Sequence, residues 1–202
     1  MPPGIGGFAF LVIPCKLNSR GNMRVGFKLI LIAVSFFSLT SCLNGSPAEL
    51  VFFDFESDVE LDRIHWKCRT LFSLSNENVT HGVKSLRLEL YPSNYPGVAT
   101  KLGINDWRRY DALSFDVYNP EDEKTSIAVR IDDKKDYPDY KDRYNKSFIL
   151  KPGLNHLNIP LSTLITSGTD RVLDLKKIYR FLIFMVNPQK RHVLYIDYVR
   201  LR

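Results

Sequence analysis

The sequence predicts an all-β chain, an antiparallel β-sandwich or jelly roll of about eight or nine strands. Three observations carry this. Short runs alternate apolar and polar residues with period two, the pattern of strands with one buried and one solvated face. Clusters of Gly, Pro, Asn and Asp separate these runs at near-regular intervals, as a sandwich with short connections requires. After Cys42 no stretch keeps a 3.6-residue apolar period long enough for an amphipathic helix, and no internal repeat is visible.

The elements follow in chain order. Val51 to Glu56 is apolar and aromatic, with Asp54 and Glu56 on one side. After a segment containing Trp66, Leu71 to Ser75 runs into a turn at Asn76-Glu77-Asn78. A second turn at His81-Gly82 opens Ser85 to Leu90, whose three leucines share one face. Tyr91 to Gly97 carries two prolines and two tyrosines and reads as loop. Leu113 to Tyr118 alternates again, closes at Asn119-Pro120 and is followed by a charged hairpin tip, Glu121 to Lys124. From Ser126, Ile127, Val129 and Ile131 face one way while Ala128, Arg130 and Asp132 face the other, so this strand has a dry and a wet side. A polar, tyrosine-rich excursion, Asp133 to Asn145, leads to a strand at Ser147 to Leu150, and Lys151-Pro152-Gly153 turns it into another at Leu154 to Ile159. That reads as an antiparallel meander with a decorated loop. Leu161 to Leu164 is a short helical turn and Asp174 to Tyr179 a brief link. Phe181 to Val186 is a continuous apolar run, expected to be covered on both faces, and Val193 to Leu201 is the last strand. Trp66 and Trp107 belong in the core.

With 202 residues, 45% of them hydrophobic, the chain supports one substantial core. The formal charge of +6 points at first to an anionic partner. Lys16, Arg20, Arg24 and Lys28, however, lie in the first 42 residues, which hold no acid; the remainder carries 24 basic and 22 acidic side chains, which speaks against nucleic acid.

Met23 opens a charged n-region with Arg24 and Lys28, followed by an apolar stretch from Leu29 to Leu39 of secretory rather than membrane-spanning length. It ends at Leu39-Thr40-Ser41-Cys42, which resembles the lipobox of bacterial lipoproteins. That resemblance implies acylation of Cys42, cleavage before it and retention at the cell envelope, on the outer membrane in a diderm organism. Residues 1–22 fit poorly ahead of a signal peptide and are read as a start placed too early. We therefore expect a signal peptide over 23–41, a lipidated tether over 42–49 and one β-sandwich domain over 50–202. With Cys15 not made and Cys42 lipidated, Cys68 stands alone and no intramolecular disulfide forms; we read it as a small buried hydrophobe.

The order of motifs carries a further resemblance. Asp54-Phe55-Glu56, His81-Gly82, Lys84-Ser85-Leu86, Asp106-Trp107, Asp111 with Leu113 and Phe115-Asp116-Val117, Asn119-Pro120, Asp142-Arg143-Tyr144-Asn145, Pro152-Gly153 and Tyr195-Ile196-Asp197-Tyr198-Val199-Arg200-Leu201 follow one another across nearly the whole mature chain. This succession resembles the galactose-binding-domain-like carbohydrate-binding modules, nearest to the family-eleven type. The resemblance implies a jelly roll that binds glycans without cleaving them, with a structural calcium tying the first strand to the last. Asp54, Glu56 and Asp197 match the positions that would supply carboxylates, and the Lys84 carbonyl would add a neutral oxygen.

Glycan recognition needs aromatic faces for the apolar side of a sugar and forked polar groups for its hydroxyls. Tyr118, Arg130, Asp132, Tyr140, Arg143 and Tyr144 are the expected ligand-binding residues, with Tyr137 in the same loop. The expected partners are a polysaccharide or oligosaccharide, the membrane through the lipid, and an enzyme or envelope protein that uses this chain. The alternative is an envelope interaction or structural lipoprotein on the same fold. An enzyme is not expected. Glu56-Ser57-Asp58-Val59-Glu60 has the spacing of the acidic motif of laminarinase-type retaining glucanases, but it lies close behind Cys42 and lacks their aromatic surroundings. No nucleophile elbow, HExxH, paired CxxC or phosphate loop is present.

Overall fold

The computed structural model describes residues 49–65 and 68–202. The signal peptide, the start site, the lipidation at Cys42 and the placement of Trp66 lie outside the described residues. Ten strands form: β1 (Leu50–Phe53), β2 (Thr70–Ser75), β3 (Ser85–Leu90), β4 (Gly97–Thr100), β5 (Ala112–Asn119), β6 (Thr125–Asp132), β7 (Tyr144–Leu150), β8 (Gly153–Pro160), β9 (Arg180–Phe184) and β10 (His192–Leu201). They make two antiparallel sheets. One runs β2-β3-β10-β5-β8, with β1 also paired to β10; the other runs β4-β9-β6-β7. The architecture is the expected antiparallel β-sandwich of the jelly-roll type.

The alternation read from the sequence builds the core between the sheets. Leu113, Phe115 and Val117 of β5 and Ile127, Val129 and Ile131 of β6 are all buried and point at one another's sheet. Phe115 meets Phe181 of β9 edge to face at 5.7 Å, joining the two layers by an aromatic pair. Trp107 is fully buried beside Phe52, as expected. Cys68 is only half-buried, with Ser93 Oγ at 4.0 Å from its sulfur.

Two departures follow from rules that local pattern does not encode. The stretch read as loop up to Gly97 contains the start of β4, which lies against β9 with Gly97 opposite Phe184. A Cβ at Gly97 would sit 2.3 Å from the Ile183 carbonyl and 2.4 Å from the Phe184 Cβ, so only glycine permits this close approach. The stretch from β6 to β8 is not a meander: β7 pairs with β6, whereas β8 pairs with β5 in the opposite sheet. Gly153, at a φ of 80°, turns the chain across the sandwich there. Beyond β1, Ser57 caps a 3-10 helix over Asp58–Arg63, its Oγ accepting from the Val59 amide.

Candidate functional site

The outer face of the four-stranded sheet is built from the residues that alternate with the core. In one cross-strand row Ser147, Ala128, Phe184 and Gly97 lie side by side; in the next stand Asn145, Arg130, Leu182 and Ala99. Small residues on both sides of Phe184 (Ala128 and Gly97) and on one side of Leu182 (Ala99) leave the centre of the sheet low, while loops rise around it. The result is a hollow of about 460 Å³ over Ala128, Arg130, Asn145, Ser147 and Phe184, walled by Tyr95, Tyr140 and Arg143. A second hollow of about 600 Å³ lies over Ala99, Thr100, His65, Tyr137 and Arg180. Arg130 and Leu182 line both, so the two form one groove crossing the strands. Its size and its apolar floor with a few polar groups are those of a ligand cleft.

The aromatic walls are exposed: Tyr137 by 81%, Tyr140 by 63% and Tyr95 by 51%. Tyr95 packs edge-on against Phe184 at 5.9 Å, and the Arg180 guanidinium lies 4.0 Å beneath the Tyr137 ring. Arg180 also donates to the carbonyls of Lys134 and Lys135, which fixes the loop that carries Tyr137. Behind the opposite wall Arg171 forks onto Asp133 and Asp142, and Ser167 and Gly168 donate backbone N–H groups to the carbonyls of Arg143 and Lys141. Although burial pushes the Asp133 carboxyl up, the Arg171 fork and the Asp174 amide hold it below the ordinary range.

The polar groups of the groove differ in how they are satisfied. Arg130 makes a bidentate pair with Asp132 at 2.8 and 2.6 Å, and Arg180 reaches the same carboxylate at 3.4 Å. Arg143 Nε and Asn145 Nδ2 are buried without a hydrogen-bond partner in the described structure. Burial and the neighbouring Arg130 charge push the Arg143 guanidinium below its ordinary range. Both residues line the first hollow, and a buried donor without a partner is a group a native fold seldom leaves unsatisfied.

The structure brings Arg130, Tyr140 and Arg143 together on this groove and corrects three expected members. Asp132 faces the same side as Arg130 but is 0% exposed, because the two arginines cover it. Tyr144 is 4% exposed and points into the core: it lies opposite Ile131, so strand parity turns its ring inward. Burial raises its hydroxyl to about 12. Tyr118 belongs to β5 in the other sheet, where its ring meets Tyr195 edge-on at 6.5 Å. Leu182, Phe184, Tyr95, Asn145 and Arg180 were not singled out by the sequence; the continuous apolar run around Phe181 was the one available signal, and its outward half is the groove floor.

The expected calcium ligands do other work. Asp197 Oδ2 accepts from the amides of Thr80 at 2.7 Å and His81 at 2.9 Å, and its Oδ1 accepts from the Tyr198 amide at 2.7 Å. Glu56 Oε1 accepts from the amides of Val83 and Lys84 at 2.8 and 2.9 Å. Lys84 thus presents its N–H, and its ammonium lies 3.4 Å from the Glu56 carbonyl oxygen. Glu56 Oε1 and both oxygens of Asp197 thus already accept N–H donors, and among the described residues no three acids, histidines or cysteines gather to hold a metal. These side chains have a role of their own in the fold. They latch the turn before β3 onto the end of β1 and onto β10, around Gly82 at a φ of 70°. The enzyme motif is likewise structural: Glu60 accepts from the Asp54 amide, with burial and then the Asp54 charge pushing its carboxyl up.

No family model and no curated protein matches the sequence. Solved structures do match the fold. A family 11 carbohydrate-binding module from Clostridium thermocellum, in complex with a beta-1,3-1,4-mixed-linked tetrasaccharide, superposes at a TM-score of 0.60 and 16% identity, covering 76% of this chain and 94% of that one. The family 11 module of the cellulosomal cellulase Lic26A-Cel5E from the same organism gives 0.58 at 15% identity over the same shares. An exo-beta-agarase matches at 0.61 and 18% identity over 75% of this chain and only 24% of its own. The chain therefore shares the jelly-roll β-sandwich fold of these family 11 carbohydrate-binding modules.

Proposed function

We propose that this chain is a non-catalytic carbohydrate-binding lipoprotein that holds or senses glycans at the bacterial cell envelope through the groove on its four-stranded sheet. The observation that carries the reading is the pairing of exposed rings, Tyr95, Tyr137 and Tyr140, with unpartnered donors, Arg143 Nε and Asn145 Nδ2, over an apolar floor. Rings pack on the apolar faces of sugars and fixed donors meet hydroxyls. The carbohydrate-binding modules that share the fold support the same reading, one of them in complex with a tetrasaccharide. Holding rather than cutting is supported by Asp132, which two arginines engage, whereas glycoside hydrolysis uses two available carboxyl groups flanking the bond.

A glycan screen with the mature protein tests this. Tyr140→Ala lowers affinity by about tenfold, the loss of one stacked ring, while Tyr118→Ala on the other sheet leaves it unchanged. Binding that survives Tyr140→Ala but not Tyr118→Ala would move the site to the opposite face. The envelope location rests on the lipobox-like run ending at Cys42: Cys42→Ser leaves unprocessed precursor without acyl label, and labelled protein in that variant would refute the anchor.

A further inference from the structure

The charge of the groove narrows its ligand, and this step rests on the glycan-binding reading. We propose that the groove takes an anionic polysaccharide, bearing carboxylate or sulfate groups, and that Arg143 is the side chain that meets the anion.

The two hollows are lined by Arg130, Arg143, Lys146, Lys101 and Arg180, and by no aspartate or glutamate. Asp132, beneath the floor, brings one negative charge to two of these cations, Arg130 and Arg180. Among the following acids of the same loop, Asp133 and Asp142 are taken by Arg171 and, for Asp142, also by Lys134, while Asp136 and Asp139 are exposed to solvent and line neither hollow. Arg143 is left with no ion pair among the described residues. Its guanidinium lies 5.4 Å from the Tyr140 ring and is half-buried with its Nε unpartnered. A desolvated cation without a counter-ion costs free energy, and a bound anion recovers it. Burial and then repulsion from Arg130 outweigh the opposing pull of Asp132 on Arg143, and a negative ligand would add to that pull. The planar fork suits the paired oxygens of a carboxylate or sulfate, and the Tyr140 ring beside it offers a surface for the sugar that carries them. A neutral glucan would leave this charge uncompensated.

The test is a set of calorimetric titrations of the mature protein with polygalacturonate for carboxylate, a carrageenan for sulfate, and a neutral mixed-linked glucan. Binding to one of the acidic polymers is expected, weakening several-fold between about 50 and about 500 mM sodium chloride as screening takes hold. Which acidic polymer binds separates the two sources of charge. Arg143→Gln lowers that affinity by about tenfold or more, and Arg143→Lys by less, since it keeps charge but loses the fork. Thermal melting of each variant accompanies the titration. Lys146→Gln, at an exposed side chain on the rim, provides a second variant with a smaller loss confined to the acidic polymer. Equal or stronger binding of the neutral glucan, insensitive to salt and to Arg143→Gln, would overturn the anionic assignment and leave the glycan-binding groove standing. Acidic binding that Arg143→Gln does not weaken would also overturn it. Failure to bind any of the three polymers or any member of a broad glycan screen would overturn both readings together.

Discussion

Replacing Asp132 by Asn perturbs the groove at the point where its framework is held. The carboxylate is fully buried and accepts two forked bonds from Arg130 and one longer bond from Arg180. Asn keeps the shape, removes the charge, and turns one acceptor into a donor facing a guanidinium. Breaking a buried pair from one side costs about 3–5 kcal/mol, largely because the remaining charge is stranded. The side chains of Arg130 and Arg180 keep 13% and 20% of their exposure, so water relieves part of that, which places the expected loss near 3 kcal/mol. For a domain of this size the loss corresponds to a fall in melting temperature of about 6–12 °C, read by scanning calorimetry. The double change Arg130→Met with Asp132→Leu should recover part of it, because it no longer strands Arg130, while Arg180 loses the carboxylate but keeps the Lys134 and Lys135 carbonyls. A drop of less than about 2 °C for Asp132→Asn would refute the claim that this pair organises the face.

Other consequences follow from the same geometry. Tyr144→Phe removes a buried hydroxyl that has no partner, so the melting temperature rises by a few degrees, about 1 kcal/mol; a fall would mean the hydroxyl is satisfied. Because Asp133 titrates below its ordinary value, its ion pair with Arg171 stabilises the fold fully above about pH 4 and is lost as pH falls below that. Arg171→Met should therefore flatten the acid limb of a stability-versus-pH curve, and an unchanged limb would exclude the pair as its source. If calcium binds at Asp54, Glu56 and Asp197, millimolar calcium raises the melting temperature over that in chelator, because an ion held only by the folded state stabilises it; identical melting curves would sink the site.

What was legible in the sequence is what period two encodes. The alternation through Leu113 to Tyr118 and through Ile127 to Asp132 identified both faces of the central strands and placed Arg130 outward. Tyr140 and Arg143 were legible because a polar, aromatic loop beside such a strand has few other uses. Parity, however, tells the side of a strand and neither the exposure nor the sheet. Asp132 is outward yet covered by arginines from its own strand and the next, and Tyr118 is outward on the wrong layer. Tyr144 was misplaced because β7 begins three residues before Ser147, where the strand was read to start, at a position whose parity is set by Ile131 across the ladder. Leu182 and Phe184 read as strand buried on both faces since an apolar groove floor and a covered sheet have the same composition. The four-residue β4, bounded by Pro96, Gly97 and a polar stretch, shows no alternation long enough to detect.

The central claim is that sugar binds on the outer face of the four-stranded sheet, and amide chemical-shift mapping during titration with a bound oligosaccharide tests it most directly. The account predicts shifts concentrated at Ala128, Arg130, Arg143, Asn145, Leu182 and Phe184, with Tyr118, His156 and Tyr195 on the other sheet unmoved. Shifts clustered on Tyr118, His156 and Tyr195 with the groove unchanged would contradict it.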